Sequence, residues 1–304
     1  MCSLAGGSLV LYYGSIVHFF YQSIQCSYNT KETASNVDSR LTNVLILGDI
    51  HLLGQRKRSW IEQYWIDWQT WLSFTNILSA NPPDLILSLG DQLDEGTSAT
   101  DDDTYESYRK RFRQIIDPKA AKILFLVGNH DAAFGASMTK HLIHRHEGAF
   151  SASNHLVNIN NVLYLQLNTM AMDDNVEDVH LHHESLLFLQ NIETERKLMG
   201  YYPPMVLLTH VPLYRPDDTA CGPLRANEDG HVTYEAPTFK YTQRDHVLSE
   251  ELSSRLLNAL RPDYVFSAHT HAVCEYSHSV PFQTKPIPEY TVPTFSWGMR
   301  PNPS

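Results

Sequence analysis

The sequence predicts a layered α/β fold in which β-sheets pack as a sandwich and helices flank them. Short apolar runs rich in Val, Ile and Leu, bounded by Gly or polar residues, are typical of buried strands. Such runs occur at residues 43–47, 85–89, 123–127, 205–208 and 264–267. Apolar residues spaced by three and four predict helices at residues 60–79, 104–116, 184–198 and 248–260. Because strands and helices alternate, we expect βαβ units with helices on the sheet faces.

Proline marks where two of these helices end. The segments 81–84 (NPPD) and 261–263 (RPD) each precede an apolar run directly, and proline cannot continue a helix. Two later strand-like segments, 162–167 and 290–295, predict a second sheet. Antiparallel pairing is one arrangement that this pattern allows.

Two polar segments need separate interpretations. The three aspartates at 101–103 predict a solvated acidic loop rather than a metal site. The segment 211–247 is rich in Pro, Asp, Gly and Thr and has little periodicity. Loops of this length inside a compact domain are usually functional or disordered. Since this one follows a strand that ends in a polar motif, we expect it to face the substrate.

Composition limits the class of protein. The 304 residues carry a formal net charge of −11, so the chain lacks the clustered basic charge typical of nucleic-acid binding, and we expect no nucleic-acid partner. Four cysteines are too few and too scattered for a disulfide framework or a Cys-based zinc site. A single Cys221–Cys274 disulfide and free, partly buried thiols both remain open.

The N-terminal region differs from the rest of the chain. Residues 1–30 contain no Asp, Glu, Lys or Arg, and residues 4–24 are largely apolar and aromatic. This predicts an N-terminal membrane helix, with a signal peptide or a soluble N-terminus as alternatives. Residues 31–42 form a polar linker, and residues 43–304 form the catalytic domain.

Short polar motifs at strand ends carry most of the functional information. Each places Asp, Asn or His directly after an apolar run, so we expect these side chains to meet at strand ends. Together they supply the carboxylate, imidazole and amide ligands that two neighbouring divalent cations need. The motifs are GDIH at 48–51, GDQLDEG at 90–96, GNHD at 128–131, TH at 209–210 and AHTH at 268–271.

The ordered series of motifs resembles the calcineurin-like metallophosphoesterase superfamily over roughly residues 43 to 275. The resemblance implies a four-layer α/β/β/α sandwich and a binuclear metal centre that hydrolyses phosphoesters. It assigns one metal to Asp49, His51 and His271, the other to Asn129, His210 and His269, and a bridging role to Asp91. Manganese, iron or zinc would suit these ligands.

The resemblance also assigns two residues that are not metal ligands. His130 would protonate the leaving-group oxygen or stabilise charge on the phosphoryl oxygens, as a general acid does. Asp94 would orient His130, although capping of the following turn explains Asp94 nearly as well.

The sequence departs from the family pattern after Asp94. Protein Ser/Thr phosphatases of this superfamily have Arg after this Asp, whereas this chain has Glu95, so phosphoprotein phosphatase activity is disfavoured.

A second departure is smaller. Ala268 stands where Gly is usual, and we expect this position to tolerate it unless the turn requires a positive φ.

Other segments are similar to a narrower branch, the membrane-bound Cdc1/Ted1 and metallophosphoesterase-one type. They are GDIHLLG with RKRSWIEQYWIDWQ, GDQLDEG, HVPLYR and VPTFSWGMRPNPS. This resemblance implies a manganese-dependent enzyme that removes ethanolamine phosphate from a mannose of glycosylphosphatidylinositol (GPI) anchors. It further implies GPI glycolipids or GPI-anchored proteins as substrates, and a lumenal catalytic domain on membranes of the endoplasmic reticulum and Golgi.

Tyr214 and Arg215 follow the TH motif and are candidates to contact glycan or phosphate, since Arg can donate two hydrogen bonds to phosphate oxygens. The alternative for Arg215 is a salt bridge with Asp217 or Asp218. Two other functions also remain open. One is a broader phosphomonoesterase or nucleotide phosphodiesterase, and the other is a catalytically silent binding scaffold.

Overall fold

The computed structural model describes residues 41–226, 236–281 and 284–299, together with residues 13, 14, 16, 17, 20 and 21. The predicted membrane helix within residues 1–30 and the linker at 31–42 lie almost wholly outside these residues. Among the helices of the described residues, none is long and apolar enough to cross a membrane.

The first sheet has three parallel strands. They are β1 (Val44–Leu47), β2 (Leu85–Ser88) and β3 (Lys122–Phe125), in the order β1-β2-β3. Helix α1 (Trp60–Ala80) connects the first pair, and helix α2 (Asp102–Ile115) connects the second. Parallel neighbours require such crossovers, so the alternation in the sequence translates directly into this sheet.

The second sheet has six strands and is mixed. In chain order they are β4 (His155–Ile159), β5 (Val162–Gln166), β6 (Met205–Leu208), β7 (Tyr264–Ser267), β8 (Cys274–His278) and β9 (Ile287–Thr291). The spatial order is β4-β5-β6-β7-β9-β8. The four central strands are parallel, and β4 and β8 add antiparallel pairs at the two edges.

The remaining described helices surround the second sheet and the strand ends. They are α3 (Asn129–Ala132), α4 (Lys140–Ala149), α5 (Val179–Leu198), α6 (Gly222–Ala226) and α7 (Glu250–Leu260). Short 3₁₀ turns occur at Gly135–Ser137 and Thr169–Ala171.

Three apolar clusters define four layers. One cluster fills the space between the sheets, where Leu85 and Leu87 of β2 and Leu208 of β6 are buried. The outer face of the first sheet packs on α1 and α2 through residues such as Phe74 and Phe112. The outer face of the second sheet packs on α5, α7 and neighbouring segments. The predicted four-layer α/β/β/α sandwich is therefore confirmed.

The antiparallel pairing that the sequence allowed for the second sheet occurs only at its edges, and the prediction for residues 101–103 needs correction. The second sheet is not antiparallel throughout, because the strands at 205–208 and 264–267 join it in parallel and only its edge strands run the other way. The aspartates at 101–103 do not form a loop. Asp101 caps α2 by accepting a hydrogen bond from the Thr104 backbone N–H, and the next two lie in the first helical turn, where acidic side chains interact favourably with the helix dipole.

Candidate metal centre

The predicted ligands lie at the carboxyl ends of strands from both sheets. Asp49, Asp91 and Asn129 follow β1, β2 and β3, while His210 follows β6 and His269 follows β7. Carboxyl ends of parallel strands meet at one edge of a sheet, and this is where open α/β sheets usually bind ligands. The sandwich thus brings ligands from two sheets to one place.

Five of the seven predicted metal ligands adopt backbone angles that L-residues rarely take. The φ angles are 51° at Asp49, 45° at His51, 51° at Asp91, 71° at His269 and 59° at His271. A left-handed conformation at a non-glycine residue costs about 1 kcal/mol or more and concentrates at functional sites. These turns direct ligand side chains inward at the expense of backbone strain.

Glycines before the ligands allow this close approach. A Cβ atom added to Gly128 would lie 2.2 Å from Asp91 Oδ1, and one added to Gly90 would lie 2.4 Å from His210 Nδ1. Ala268, in contrast, is not among the positive-φ residues and is fully buried. The expectation that alanine is tolerated at that position is consistent with its backbone.

One candidate ligand cluster consists of Asp49, His51 and His271, whose ligand atoms all lie within 4.8 Å of one another. The two imidazole Nε2 atoms are 3.0 Å apart. The Asp49 carboxylate also accepts a hydrogen bond from the backbone N–H of His269, at 2.9 Å, which ties this cluster to its neighbour.

The second cluster consists of Asp91, His210 and His269, and Asn129 completes it. Asn129 Oδ1 lies 2.9 Å from His210 Nε2 and 2.9 Å from His269 Nδ1. His210 Nδ1 contacts the carbonyl oxygen of Leu89 at 2.8 Å. That contact orients the ring and leaves Nε2 facing the cluster, as a backbone carbonyl commonly does for a metal-binding histidine.

Asp91 lies between the two clusters. Its Oδ2 atom is 3.4 Å from His51 Nε2 in the first cluster and 3.4 Å from His210 Nε2 in the second. A carboxylate in this position can serve both clusters, which fits the predicted bridging role.

The electrostatics of the site suit cation binding. Burial raises the pKa of Asp49 to about 7 and lowers the pKa of His269 and His271 to about 3. Burial would also raise the pKa of Asp91, but the positive charge and hydrogen bond of His210 hold it well below its ordinary value. Burial would lower the pKa of His210, but the charges of Asp91 and Asp49 raise it to about 9, so a cation would have to displace its proton, because imidazoles bind metals in the neutral form. The carboxylate, imidazole and amide donors are of the types that suit two divalent cations.

His130 and Asp94 lie beside the candidate ligands. His130 Nδ1 is 2.9 Å from the carbonyl oxygen of Asp94 and 3.5 Å from its Oδ1. The same Oδ1 lies 3.6 Å from His51 Nδ1. The His130 side chain is 36% exposed, whereas His51 and His210 are 1% exposed. Asp94 therefore lies beside both imidazoles, and the His130 ring is the more accessible of the two.

Two supporting contacts are not evident from the motifs. Asp131, the last residue of GNHD, is fully buried and accepts hydrogen bonds from Leu93 N at 3.0 Å and Gly128 N at 2.9 Å. The sequence signal that could have identified Asp131 is its position inside the GNHD motif. The carbonyl oxygen of Asp245 lies 2.8 Å from His269 Nε2, so part of the 211–247 segment reaches the site. No side-chain pattern could reveal a backbone contact of that kind.

Glu95 does not face the candidate ligands. Its buried carboxylate accepts hydrogen bonds from the backbone N–H groups of Arg56 and Lys57, from Arg56 Nε and from the Tyr108 hydroxyl. Where protein Ser/Thr phosphatases have a phosphate-binding Arg, this chain therefore has an acid that fixes the loop before α1.

The sequence left two roles open for Arg215, contact with substrate and a salt bridge. Arg215 is fully buried, and its Nε donates to Asp218 Oδ1 at 2.9 Å, so the salt bridge left open by the sequence is the one that forms. Burial of a guanidinium requires such a partner. Tyr214 is only partly buried, and its contact with substrate stays a prediction.

The disulfide left open by the sequence is present between Cys221 and Cys274. It joins the segment that follows β6 to β8. These cysteines and Asp218 are close enough together to resemble a metal site, but disulfide sulfurs are not thiolate ligands.

A sandwich of this type, with a buried two-cluster set of oxygen and imidazole ligands at its strand ends, belongs to the metal-dependent phosphoesterases. More specifically, the chain belongs to the calcineurin-like phosphoesterase family, whose sequence profile matches residues 42–273. Members of this family use a binuclear metal centre to hydrolyse phosphoric esters.

Curated relatives agree with this assignment. Metallophosphoesterase 1 of Xenopus laevis is 32% identical over 97% of this chain and 76% of its own length. The protein of the same name in Gallus gallus is 32% identical over 86% of this chain and 67% of its own length. GAP50, the anchor in the inner membrane complex of Plasmodium, is similar in structure with a TM-score of 0.47 and 11% identity over 82% of this chain and 70% of that one. A structural similarity at that level adds nothing to the assignment.

Proposed function

We propose that this protein is a phosphodiesterase that removes ethanolamine phosphate from a mannose of GPI anchors in the early secretory pathway, with two Mn²⁺ ions as cofactors. The observation that carries the proposal is the complete ligand set on a chain 32% identical to Metallophosphoesterase 1 over 97% of its length. The branch-specific segments around that set, such as RKRSW and HVPLYR, support the GPI substrate.

In the proposed mechanism each group of residues has a separate task. Asp49, His51 and His271 would hold one cation, Asn129, His210 and His269 would hold the other, and the Asp91 carboxylate would serve both. When bound, the cations supply Lewis acidity and lower the pKa of a water molecule. His130, whose side chain is 36% exposed, would donate a proton to the mannose oxygen as its bond to phosphorus breaks and the oxygen of a water molecule bonds to phosphorus. Asp94 keeps the His130 ring in place through its carbonyl oxygen.

The chain itself supports an oxidising compartment. Disulfides persist in the secretory pathway and are rare in the cytosol, and the Cys221–Cys274 bond is buried. This supports our proposal that the catalytic domain lies on the lumenal side of endoplasmic reticulum and Golgi membranes. Manganese is preferred because oxygen and imidazole ligands suit it and because the related branch depends on it.

The test is hydrolysis of defined GPI intermediates by the purified chain with Mn²⁺, followed by mass spectrometry of the glycolipid. We expect loss of one ethanolamine phosphate, and none with Asp91→Asn. A small aryl phosphodiester and a set of nucleotides, assayed on the same sample, separate the outcomes. Faster hydrolysis of nucleotides than of glycolipid would identify a broad phosphodiesterase. If none of these phosphoesters is hydrolysed, the remaining alternative is a catalytically silent binding scaffold.

A further inference from the structure

Helix α1 exposes an unusual concentration of large aromatic side chains. Four of the five tryptophans of the chain lie in this helix. Side chains that recur at intervals of three and four lie on one face of a helix. We call this set the aromatic face of α1: Trp60, Ile61, Tyr64, Trp65, Trp68 and Trp71.

The exposure of this face is greatest toward its N-terminal end. Trp60 is 76% exposed, Tyr64 70%, Trp65 46% and Trp71 44%. The C-terminal half of the helix is buried against α2 and the first sheet through residues such as Phe74. Large apolar side chains grouped on one surface mark an interaction site rather than ordinary surface variation.

A basic loop adjoins the exposed end of the helix. Arg56, Lys57 and Arg58 directly precede the N-cap, Ser59. The chain as a whole is acidic, with a net charge of −11. Arg56 pairs with Glu95 and Arg58 with Glu62, so the loop with these partners keeps a small local excess of positive charge, which complements an anionic surface.

Glu95 fixes this loop next to the candidate metal centre. It accepts hydrogen bonds from the backbone N–H groups of Arg56 and Lys57, and it directly follows Asp94, which contacts His130. A Cβ atom on Gly54 would lie 2.1 Å from Glu95 Oε2, so the loop packs tightly on this carboxylate. The aromatic face, the basic loop and the centre are consequently held in one orientation.

We propose that the aromatic face of α1 and the basic loop 56–58 dock on the surface of a lipid bilayer that contains anionic headgroups. Tryptophan and tyrosine combine an apolar ring with a polar N–H or O–H group, which suits the boundary between headgroups and acyl chains. A helix with such a face and basic residues at its end has the composition of an interfacial helix. Docking would present the metal centre to phosphoesters at the membrane surface. It does not depend on which phosphoester is hydrolysed.

The docking is measured on the purified full chain with phosphatidylcholine vesicles, with and without phosphatidylserine and without any glycolipid. Trp297→Phe removes the tryptophan outside α1, and brominated acyl chains quench tryptophans that enter the bilayer. We expect quenching of the α1 fluorescence and a decrease in its quenching by aqueous iodide. Unchanged iodide quenching, with no effect of bromine, would overturn the proposal, whether or not another segment anchors the chain.

A matched pair of variants locates the contact. The double variant Trp60→Ser, Tyr64→Ser should bind vesicles about tenfold more weakly. If another segment anchors the chain, bromine quenching of the remaining tryptophans should decrease by about the same factor. Tyr201→Ser, at a 73% exposed tyrosine after α5 in the opposite outer layer, should change neither. Hydrolysis of a small soluble phosphodiester by the double variant should equal that of the wild type, which shows that the fold and the centre are intact.

A different occupant gives a different result. If the aromatic face binds a second copy of the chain, multi-angle light scattering will give twice the mass of one protomer for the wild type. The double variant will then have the mass of one protomer. That outcome, without bromine quenching, overturns the bilayer proposal.

Discussion

Replacing Glu95 with Gln is expected to destabilise the folded protein by about 2 kcal/mol. The Glu95 carboxylate is fully buried. Its Oε2 accepts from Arg56 N, Arg56 Nε and the Tyr108 hydroxyl at 3.1 to 3.2 Å, and its Oε1 accepts from Lys57 N at 3.0 Å. An amide has only one acceptor oxygen, so in either orientation its NH₂ group faces at least one donor.

The magnitude follows from these contacts. A hydrogen bond to a charged group contributes about 1.5 to 3 kcal/mol, and leaving a buried donor without an acceptor costs about 1 to 3 kcal/mol. The Arg56 side chain is 38% exposed, so solvent screening reduces its share. The total of about 2 kcal/mol is therefore dominated by the two backbone N–H groups and the Tyr108 hydroxyl.

The assay is urea unfolding in the presence of a chelator, so that metal binding does not contribute to the measured stability. Glu106→Gln is the matched control, because Glu106 is 43% exposed in its pairs with Arg109 and Lys110, and surface pairs of this kind contribute little. A Glu95→Gln change below about 0.5 kcal/mol, or one equal to that of Glu106→Gln, would refute the reasoning.

Three other changes test the fold and the site. Replacing both Cys221 and Cys274 with Ser should lower the free energy of unfolding by about 4 kcal/mol, because the bond closes a loop with a sequence separation of 53; equal unfolding of the wild type with and without reductant would contradict this. Burial lowers the pKa of His146 to about 3 from 6.5, so the unfolded chain binds the proton first as the pH falls, and folding stability decreases between pH 6.5 and 3. In His146→Leu, the unfolding temperature should therefore decrease less as the pH falls from 6.5 to 3. If the unfolding temperatures of variant and wild type decrease equally over this range, His146 is not the cause. Gly128→Ala should displace Asp91 and abolish metal binding, since the new Cβ would lie 2.2 Å from Asp91 Oδ1; elemental analysis that finds the wild-type metal content would show that the turn relaxes.

The strands that carry the motifs could be predicted because their apolar runs are short, buried and bounded by polar residues. The edge strands β4 and β8 could not. His155–Ile159 and Cys274–His278 contain polar and partly exposed residues, and their strand character comes from pairing with a neighbour rather than from local sequence. The helical prediction missed the first two residues of α2, since capping by Asp101 is a hydrogen-bonding effect that apolar spacing does not detect.

The metal ligands could be predicted because residues with ligand side chains occur in motifs directly after predicted strands. The seven proposed ligands lie together, as strand-end motifs indicate. Arg215 shows the limit of that reasoning, because its burial depends on Asp218 and Thr291 from the folded surroundings. The bond from His269 Nε2 to the Asp245 carbonyl oxygen depends on the path of a loop and has no sequence signature.

The binuclear centre is the central claim, and metal content measured together with activity tests it most directly. Wild-type protein equilibrated with Mn²⁺ and freed of excess metal should contain two equivalents per chain and hydrolyse a phosphodiester. Asp91→Asn should lose at least one equivalent and nearly all of the activity, because the Asp91 carboxylate lies 3.4 Å from a histidine of each cluster and is the proposed bridging ligand. Fewer than one equivalent in the wild type, or equal activity in the two proteins, would contradict the account.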